Sequence, residues 1–401
     1  MDRVEEWVLE NKNKIEKGVE IIGQGCEVLA ATVGQLHPIL EAVFVASAEL
    51  LKNPEGEEAK YLAEQFEKIN QKLEGIQGEV NRIALEMQLS SMNKQNFDYE
   101  VQMHSQYRKF LEFVNAELDS KKTKKGKFIR HYENTGRDRN LDALYNAFTG
   151  DASRVPMLDT VLAVKQRSRR AVEEFCAQLK KLFVVGIIAV IGYNSLKEES
   201  VEEKTFNETL MKDIVKKWQG RMEDVEKHMK AAVDDCTQNF ATQAKEDIGQ
   251  LLQEKQGSSD PNFTKSLLDF LAKKYDWVSW SLRVISNREW FFWNWFAGNK
   301  YHGWCGGANF FDILTKNNIR VVISFSAEPK PINKVQIQEQ IEGQKLKGDM
   351  ESVAQSLCNI LPNCVVHAVS RYKDVVESNN FQEECYYFEK NRKAHLYIHS
   401  K

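Results

Sequence analysis

Over the first 255 positions, apolar residues recur at alternating steps of four and three. One stripe runs Ile15, Val19, Ile22, Cys26, Leu29, Val33, Leu36, Leu40 and Val43. A second runs Leu62, Phe66, Ile69, Leu73, Ile76, Val80, Ile83 and Met87, and a shorter third is Met103, Tyr107, Phe110 and Val114. A fourth comprises Met211, Val215, Trp218, Met222, Val225, Met229, Ala232 and Cys236. A mean spacing of about 3.5 residues keeps one face of a long helix turned toward a partner helix. Strands, with a period of two, cannot generate it.

Breakers set the boundaries. The first helix is expected from about residue 3 to 52, bent at Pro38, because proline removes a backbone donor and clashes with the preceding turn. Residues 53–56 (NPEG) make a turn, and a second helix runs toward residue 118. The polar run at 120–140 reads as a loop or irregular connection. A short helix spans Leu141 to Phe148 and ends at Gly150; another starts near Pro156 and continues to about Ser195. The last covers roughly Val201 to Glu254, on the order of 75 Å at 1.5 Å per residue. Antiparallel neighbours of this length form an elongated bundle, here residues 1–255.

Two stretches inside the bundle lack a polar face. Leu182 to Leu196 (LFVVGIIAVIGYNSL) carries no charge, and Val28 to Leu51 carries just Glu41 and Glu49. A membrane-spanning helix needs about 20 apolar residues, so the first is short and the second marginal. Either they are buried at the bundle centre, or they form a conditional membrane-inserting element stored in the soluble fold. The insertion candidates are Leu182, Phe183, Val184, Val185, Ile187, Ile188, Val190 and Ile191.

Beyond the bundle the pattern changes. Residues 256–262, within QGSSDPNFTK, have linker composition, and residues 263–401 read as an aromatic-rich α+β domain. Residues 319–326, 364–371 and 395–400 are expected strands, rich in β-branched residues. A helix over Lys334 to Leu361, broken near Gly348 and capped by Asn333, lies between the first two. The expectation is one sheet covered by helices on one face, and the fold class is α+β. Six of the eight tryptophans fall between Trp277 and Trp304. They form an aromatic seam joining the domains or a contact surface for membrane or partner, with Trp290, Phe291, Trp293, Trp295 and Trp304 as contact candidates.

Composition narrows the function. The chain has 401 residues, 42% hydrophobic and 28% charged, which excludes wholesale disorder and a multi-span membrane protein. The 55 Lys and Arg against 58 Asp and Glu leave a net charge of -3, unlike a surface built to grip nucleic acid. Two basic runs stand out. Lys121, Lys122, Lys124, Lys125, Lys127 and Arg130 are candidates for anionic lipid; Lys165, Arg167, Arg169 and Arg170 form the second run. The N-terminus has no secretory signal, so the seven cysteines read as reduced thiols and the expected compartment is the cytoplasm, with membrane association conditional and non-classical export open.

Signatures of chemistry are sparse. Gly23 and Gly25 lack the third glycine and preceding strand of a dinucleotide site, and no P-loop is present. His302 with Cys305, and Cys364 with His367, lack partner pairs at zinc spacing, while His395 and His399 read as ordinary sheet surface. No nucleophile elbow occurs. No enzyme activity, cofactor or metal is expected.

Four long stretches together resemble the rapunzel family of fish proteins: GCEVLAATVGQLHPILEA (25–42), EEFCAQLKKLFVVGIIAVIGYNSL (173–196), FFWNWFAGNKYHGWCGGANFF (291–311) and LPNCVVHAVSRYKD (361–374). The resemblance implies a fish-expanded set of intracellular-looking proteins linked to skeletal and fin growth, with innate immune regulation as a further association. It carries over no catalytic residues. More distantly, the helical half is similar to cephalotoxin-type and other α-helical pore formers. The leading expectation is a non-enzymatic, membrane-active protein whose C-terminal domain recognises a receptor or lipid, with self-association possible. The alternative is a cytosolic adaptor that binds protein partners through coiled-coil surfaces.

Overall fold

A computed structural model describes residues 3–23, 56–75, 94–150, 156–197, 203–254, 260–286, 301–343, 346 and 348–401. The Val28–Leu51 stretch, the Pro38 bend, the distal halves of the first two stripes and the residues 255–259 lie outside the described residues. The chain divides into two compact units, Met1–Thr237 and Gln238–Lys401.

The first unit is helical: α1 (Arg3–Gly23), α2 (Glu57–Gly75), α3 (Lys94–Val114), α4 (Leu118–Asn134), α5 (Arg139–Thr149), α6 (Met157–Val164), α7 (Arg169–Leu196) and α8 (Glu203–Gln238). The heptad stripes build its core. Ile15, Val19, Leu62, Phe66, Ile69, the whole third stripe and the fourth from Val215 to Cys236 are buried in one cluster. Two connections differ from expectation. The lysine-rich run is helical, because Lys121, Phe128 and Tyr132 fall on one face and are buried. The expected helix from Pro156 is two, α6 and α7, separated by a turn in which Gln166 and Arg167 adopt φ of 48° and 52°.

The expected last helix also breaks, between α8 and α9 (Phe240–Glu254). The division falls here, ahead of the expected boundary at 255, because α9 belongs to the core of the second unit. Phe240 lies edge-on to Phe325 at 5.1 Å between ring centroids, and Ala244, Ile248 and Leu252 pack with α10 (Pro261–Lys274). Residues 260–262 open that helix: the Asp260 carboxylate accepts from the Asn262 amide, and Pro261 takes its first turn.

The rest of this unit holds two four-stranded antiparallel sheets. β1 (Ser279–Ser286), β3 (Phe310–Leu314), β4 (Ile319–Ser326) and β6 (Val375–Asn379) pair in the order β3-β4-β1-β6. β2 (His302–Cys305), β5 (Cys364–Ser370), β7 (Tyr386–Lys390) and β8 (Ala394–Ser400) pair as β2-β5-β8-β7. The outer face of the first sheet (Trp280, Leu282, Val284, Val321, Ile323) packs on α9 and α10. The outer face of the second (Val366, Ala368, Leu396, Ile398) packs on α11 (Lys334–Gly343) and α12 (Met350–Ile360). The inner faces meet through Ile285, Val322, Val369 and Tyr397. The arrangement is therefore four layers, with helices outside two sheets, and not one sheet with a single helical cover. The central strands of both sheets are buried on both faces, which explains the near-continuous apolar run of β4. The helix break near Gly348 and the cap by Asn333, which accepts from the Gln336 amide at 3.1 Å, are as expected. Cys305 and Cys358 form a disulfide joining β2 to α12, with Cα atoms 6.1 Å apart. That corrects the reading of all cysteines as thiols; Cys236, Cys364 and Cys385 are free and buried, and Cys176 is buried in the helical core.

Candidate functional site

The apolar run occupies the second half of α7. Leu182, Phe183, Val184, Val185, Ile187, Ile188, Val190 and Ile191 are all buried, so the helix has no solvent-facing side over this stretch. Two glycines let neighbouring helices close on it. A Cβ at Gly186 would lie 2.6 Å from the Leu141 side chain and 3.0 Å from Met103 Sδ; at Gly192 it would lie 2.5 Å from the Phe110 ring. Met103 and Phe110 ascend with Gly186 and Gly192, so α3 and α7 run in the same direction. Phe183 meets Phe148 edge-on at 6.0 Å, and Tyr193 stacks on Tyr132 at 4.4 Å. Toward the C-terminal end of the run, the Tyr193 hydroxyl donates to the Glu133 carboxylate at 2.8 Å. Among the described residues, α7 is the one helix long and apolar enough to cross a membrane, a property that buried core helices share.

Charge begins at the N-terminal edge of the run. Lys181 is 4% exposed. Glu100 and His104, one turn apart on α3, lie within its field. Burial raises the Glu100 carboxyl above its ordinary range while Lys181 pulls it down. Burial, helped by Lys181, pushes His104 down to about 4.

The first basic run divides in two. Lys121 is buried, and its ammonium donates to the Val114 and Ala116 carbonyls at 2.8 and 3.0 Å, closing the C-terminal end of α3. It is not available to a surface. Lys124 pairs with Glu112 at 3.1 Å. Lys122, Lys127 and Arg130 are exposed and Lys125 half-buried. In the second run, Arg167 pairs with Asp235 at 2.9 Å, Arg169 with Glu173 at 3.7 Å and Arg170 with Glu174 at 3.0 Å, and Lys165 is half-buried.

Of the aromatic contact candidates, Trp290, Phe291, Trp293 and Trp295 lie outside the described residues. Trp304 is half-buried between His302 and Phe310, with centroids at 5.1 and 4.5 Å. Trp280 is fully buried, and Trp277 packs on Phe240 within the same unit.

The second unit also contains a buried polar seam between its sheets that the sequence reading missed. Arg283 on β1 is wholly buried; its Nη2 donates to the Ser281 carbonyl at 3.1 Å and to Ser324 Oγ at 2.5 Å, and the guanidinium lies over the Tyr397 ring. His399 Nε2 meets Ser324 Oγ at 2.8 Å, and the Tyr386 hydroxyl meets Ser281 Oγ at 3.0 Å and donates to Glu377. His367 Nε2 faces His302 Nδ1 at 3.4 Å. His395 and His399 thus point into the sandwich, correcting their assignment to sheet surface. The sequence carried no signal for this: AHLYIHS and SWSLRVIS alternate as half-exposed strands do, yet both parities are buried. Burial drives His302 to about 4 and His399 to about 3, so these imidazoles are neutral. No group of three metal-ligating side chains converges among the described residues.

Residues 52–258, just over half of the chain, match the family of the cephalotoxin-like middle helical domain. Protein rapunzel of Danio rerio is 22% identical over 231 residues, 57% of this chain and 97% of that protein. No solved structure matches.

Proposed function

The chain belongs to the cephalotoxin-like middle helical domain family, and from that premise we propose that it is a non-enzymatic, membrane-active protein. Leu182 to Leu196 leaves the helical unit to enter a bilayer, and the C-terminal sandwich serves as recognition module. The observation that carries the reading is a run of uncharged residues inside α7, buried on every side yet seated on two glycine notches. Fifteen residues span about 22 Å, short of the roughly 30 Å hydrocarbon core. Lys180 and Lys181 at its edge have stems long enough to reach the headgroups as the helix tilts or the bilayer thins. The exposed Lys122, Lys127 and Arg130 supply attraction to anionic lipid of about 1 kcal/mol per charge close to the surface.

Vesicles loaded with a self-quenched dye and doped with a photoactivatable lipid test this directly. The expected result is leakage, with cross-links mapping to 182–196. If neutral, anionic and sterol-containing vesicles all stay intact and the segment acquires no cross-link, α7 is a core helix. The protein then acts as an adaptor that binds protein partners.

A further inference from the structure

We propose that the seam between the two sheets binds a small oxyanion, a carboxylate or a phosphate, on the guanidinium of Arg283. Such a site extends the recognition role of the sandwich and is independent of any membrane step. The sandwich turns apolar faces outward to its helices, while its facing sides carry Ser281, Arg283, Ser324, His367, Tyr386 and His399 beside a few apolar residues.

A guanidinium donates and never accepts. Arg283 Nη2 is used by the Ser281 carbonyl and Ser324 Oγ. His399 Nδ1 donates to the Ser400 carbonyl at 2.7 Å, so its Nε2 accepts the Ser324 hydroxyl and that branch is complete. Nε and Nη1 of Arg283 have no acceptor, although the side chain is wholly buried. The Tyr397 ring, its centroid 5.4 Å from the guanidinium carbon, cushions the charge without taking those bonds. Glu377, opposite Arg283 on β6, lies within its field. Its carboxylate receives the Tyr386 hydroxyl and, at 3.2 Å, the Asn379 amide, and accepts from neither Nε nor Nη1.

The second sheet supplies another orphan. His367, the cross-strand neighbour of Tyr397 with rings stacked at 6.0 Å, is buried, and its Nδ1 has no partner. Its Nε2 meets His302 Nδ1 at 3.4 Å. When His302 is the donor in that contact, His367 Nδ1–H donates as well. Burial and the nearby Arg283 hold this imidazole well below its ordinary value, so it meets a ligand as a neutral donor while Arg283 supplies the charge. Buried donors without acceptors are costly, and a buried cation costs more unless it is paired. An oxyanion answers both needs, bringing several lone pairs and the opposite charge to a planar donor. A cation would be repelled, and an apolar ligand would leave the donors orphaned.

Hydrogen exchange of the full chain, titrated with inorganic phosphate and separately with acetate against sodium chloride at matched ionic strength, tests the site. At 100 times its Kd a ligand multiplies the folding constant of the unit it binds about 100-fold. Peptides from 279–286 and 394–400 should therefore slow by up to about two orders of magnitude, while those from α3 and α7 stay unchanged. The anion that acts fixes the ligand as carboxylate or phosphate. Arg283→Lys, which keeps the charge but not the planar donors, should weaken binding by at least about tenfold, and Arg283→Met should abolish it. No slowing beyond that in chloride, or equal slowing in Arg283→Met, overturns the site and leaves the donors to water. Where Arg283→Met does not fold, the Nε–H resonance of Arg283 in protein labelled with ¹⁵N-arginine decides. It must shift in step with the protection; a fixed resonance while exchange slows puts the anion elsewhere and overturns the site. Vesicle leakage bears on α7 alone, so its failure leaves the oxyanion site standing.

Discussion

Gly192→Ala probes the seat of the apolar helix with one methyl group. The new Cβ would sit 2.5 and 2.6 Å from Phe110 Cε2 and Cδ2. That ring is fully buried and boxed by Phe66, Phe113 and Phe128, at centroid distances of 5.9, 6.2 and 5.5 Å, so it has nowhere to swing. Overpacking of this kind costs about 1–3 kcal/mol. Alanine gains up to about 1 kcal/mol of helix propensity over glycine, so the net loss is about 0–2 kcal/mol. Gly220 in α8 is the internal control: it is exposed, nothing lies within 4 Å of its Cβ position, and alanine there brings the gain alone. The two variants should therefore differ by about 1–3 kcal/mol, read as the separation of their urea midpoints in far-ultraviolet ellipticity. If Gly192→Ala raises the midpoint as much as Gly220→Ala, Phe110 does not close on α7 and the seat described above is wrong.

Three further outcomes are expected. Asp247 on α9 is buried and accepts from Lys274 Nζ at 2.6 Å, the Tyr275 hydroxyl at 2.7 Å and Gln243 Nε2 at 3.0 Å, so Asp247→Ala should destabilise the second unit by about 3–5 kcal/mol. Hydrogen-exchange protection in α3 and α7 should stay unchanged; its loss there would place α9 with the helical unit instead. The imidazoles of His302 and His399 are held at about 4 and 3, so their contribution is whole above 6.5 and is lost as pH falls from there toward those values. Thermal scans of the sandwich should show this decline, and a flat response from pH 7 to 4 would place the imidazoles in water. The Cys305–Cys358 bridge closes a separation of 53 residues, so Cys305→Ser should cost about 4 kcal/mol on the chain-entropy account. An excess of reductant should erase the difference between variant and parent.

The helical stripes were legible because burial follows period: Met103, Tyr107, Phe110 and Val114 are the inward face of α3, and Val215 through Cys236 that of α8. Helix α4 was hidden by its lysines. A charged residue at 121 reads as surface, yet its ammonium satisfies backbone carbonyls that would otherwise be orphaned where α3 ends. The break before α9 left no local signal, since Phe240 ends one helical run because of rings contributed by Trp280 and Phe325, far along the chain. The three apolar strands β4, β5 and β8 were visible from their β-branched residues. Strand β1 was not, because a fully buried Arg283 in its middle breaks every expectation from hydropathy. The apolar segment itself was plain in the sequence, but Glu100 and His104, which lie within the field of Lys181 at its N-terminal edge, are far upstream, and bringing them there required the fold.

The order of the chain matters for an uncharged segment of this kind. Its seat, made of Met103, Phe110, Phe128, Tyr132 and Leu141, is entirely N-terminal to Leu182. A ribosome adding about 5–20 residues per second completes α3, α4 and α5 several seconds before α7 clears the exit tunnel. The newborn apolar helix therefore emerges beside a groove already built to receive it, and α8, arriving later, closes over the pair. Translation order thus acts as a chaperone encoded in the topology. A circular permutant that starts at residue 156 would synthesise α7 before its seat and should aggregate where the native order does not.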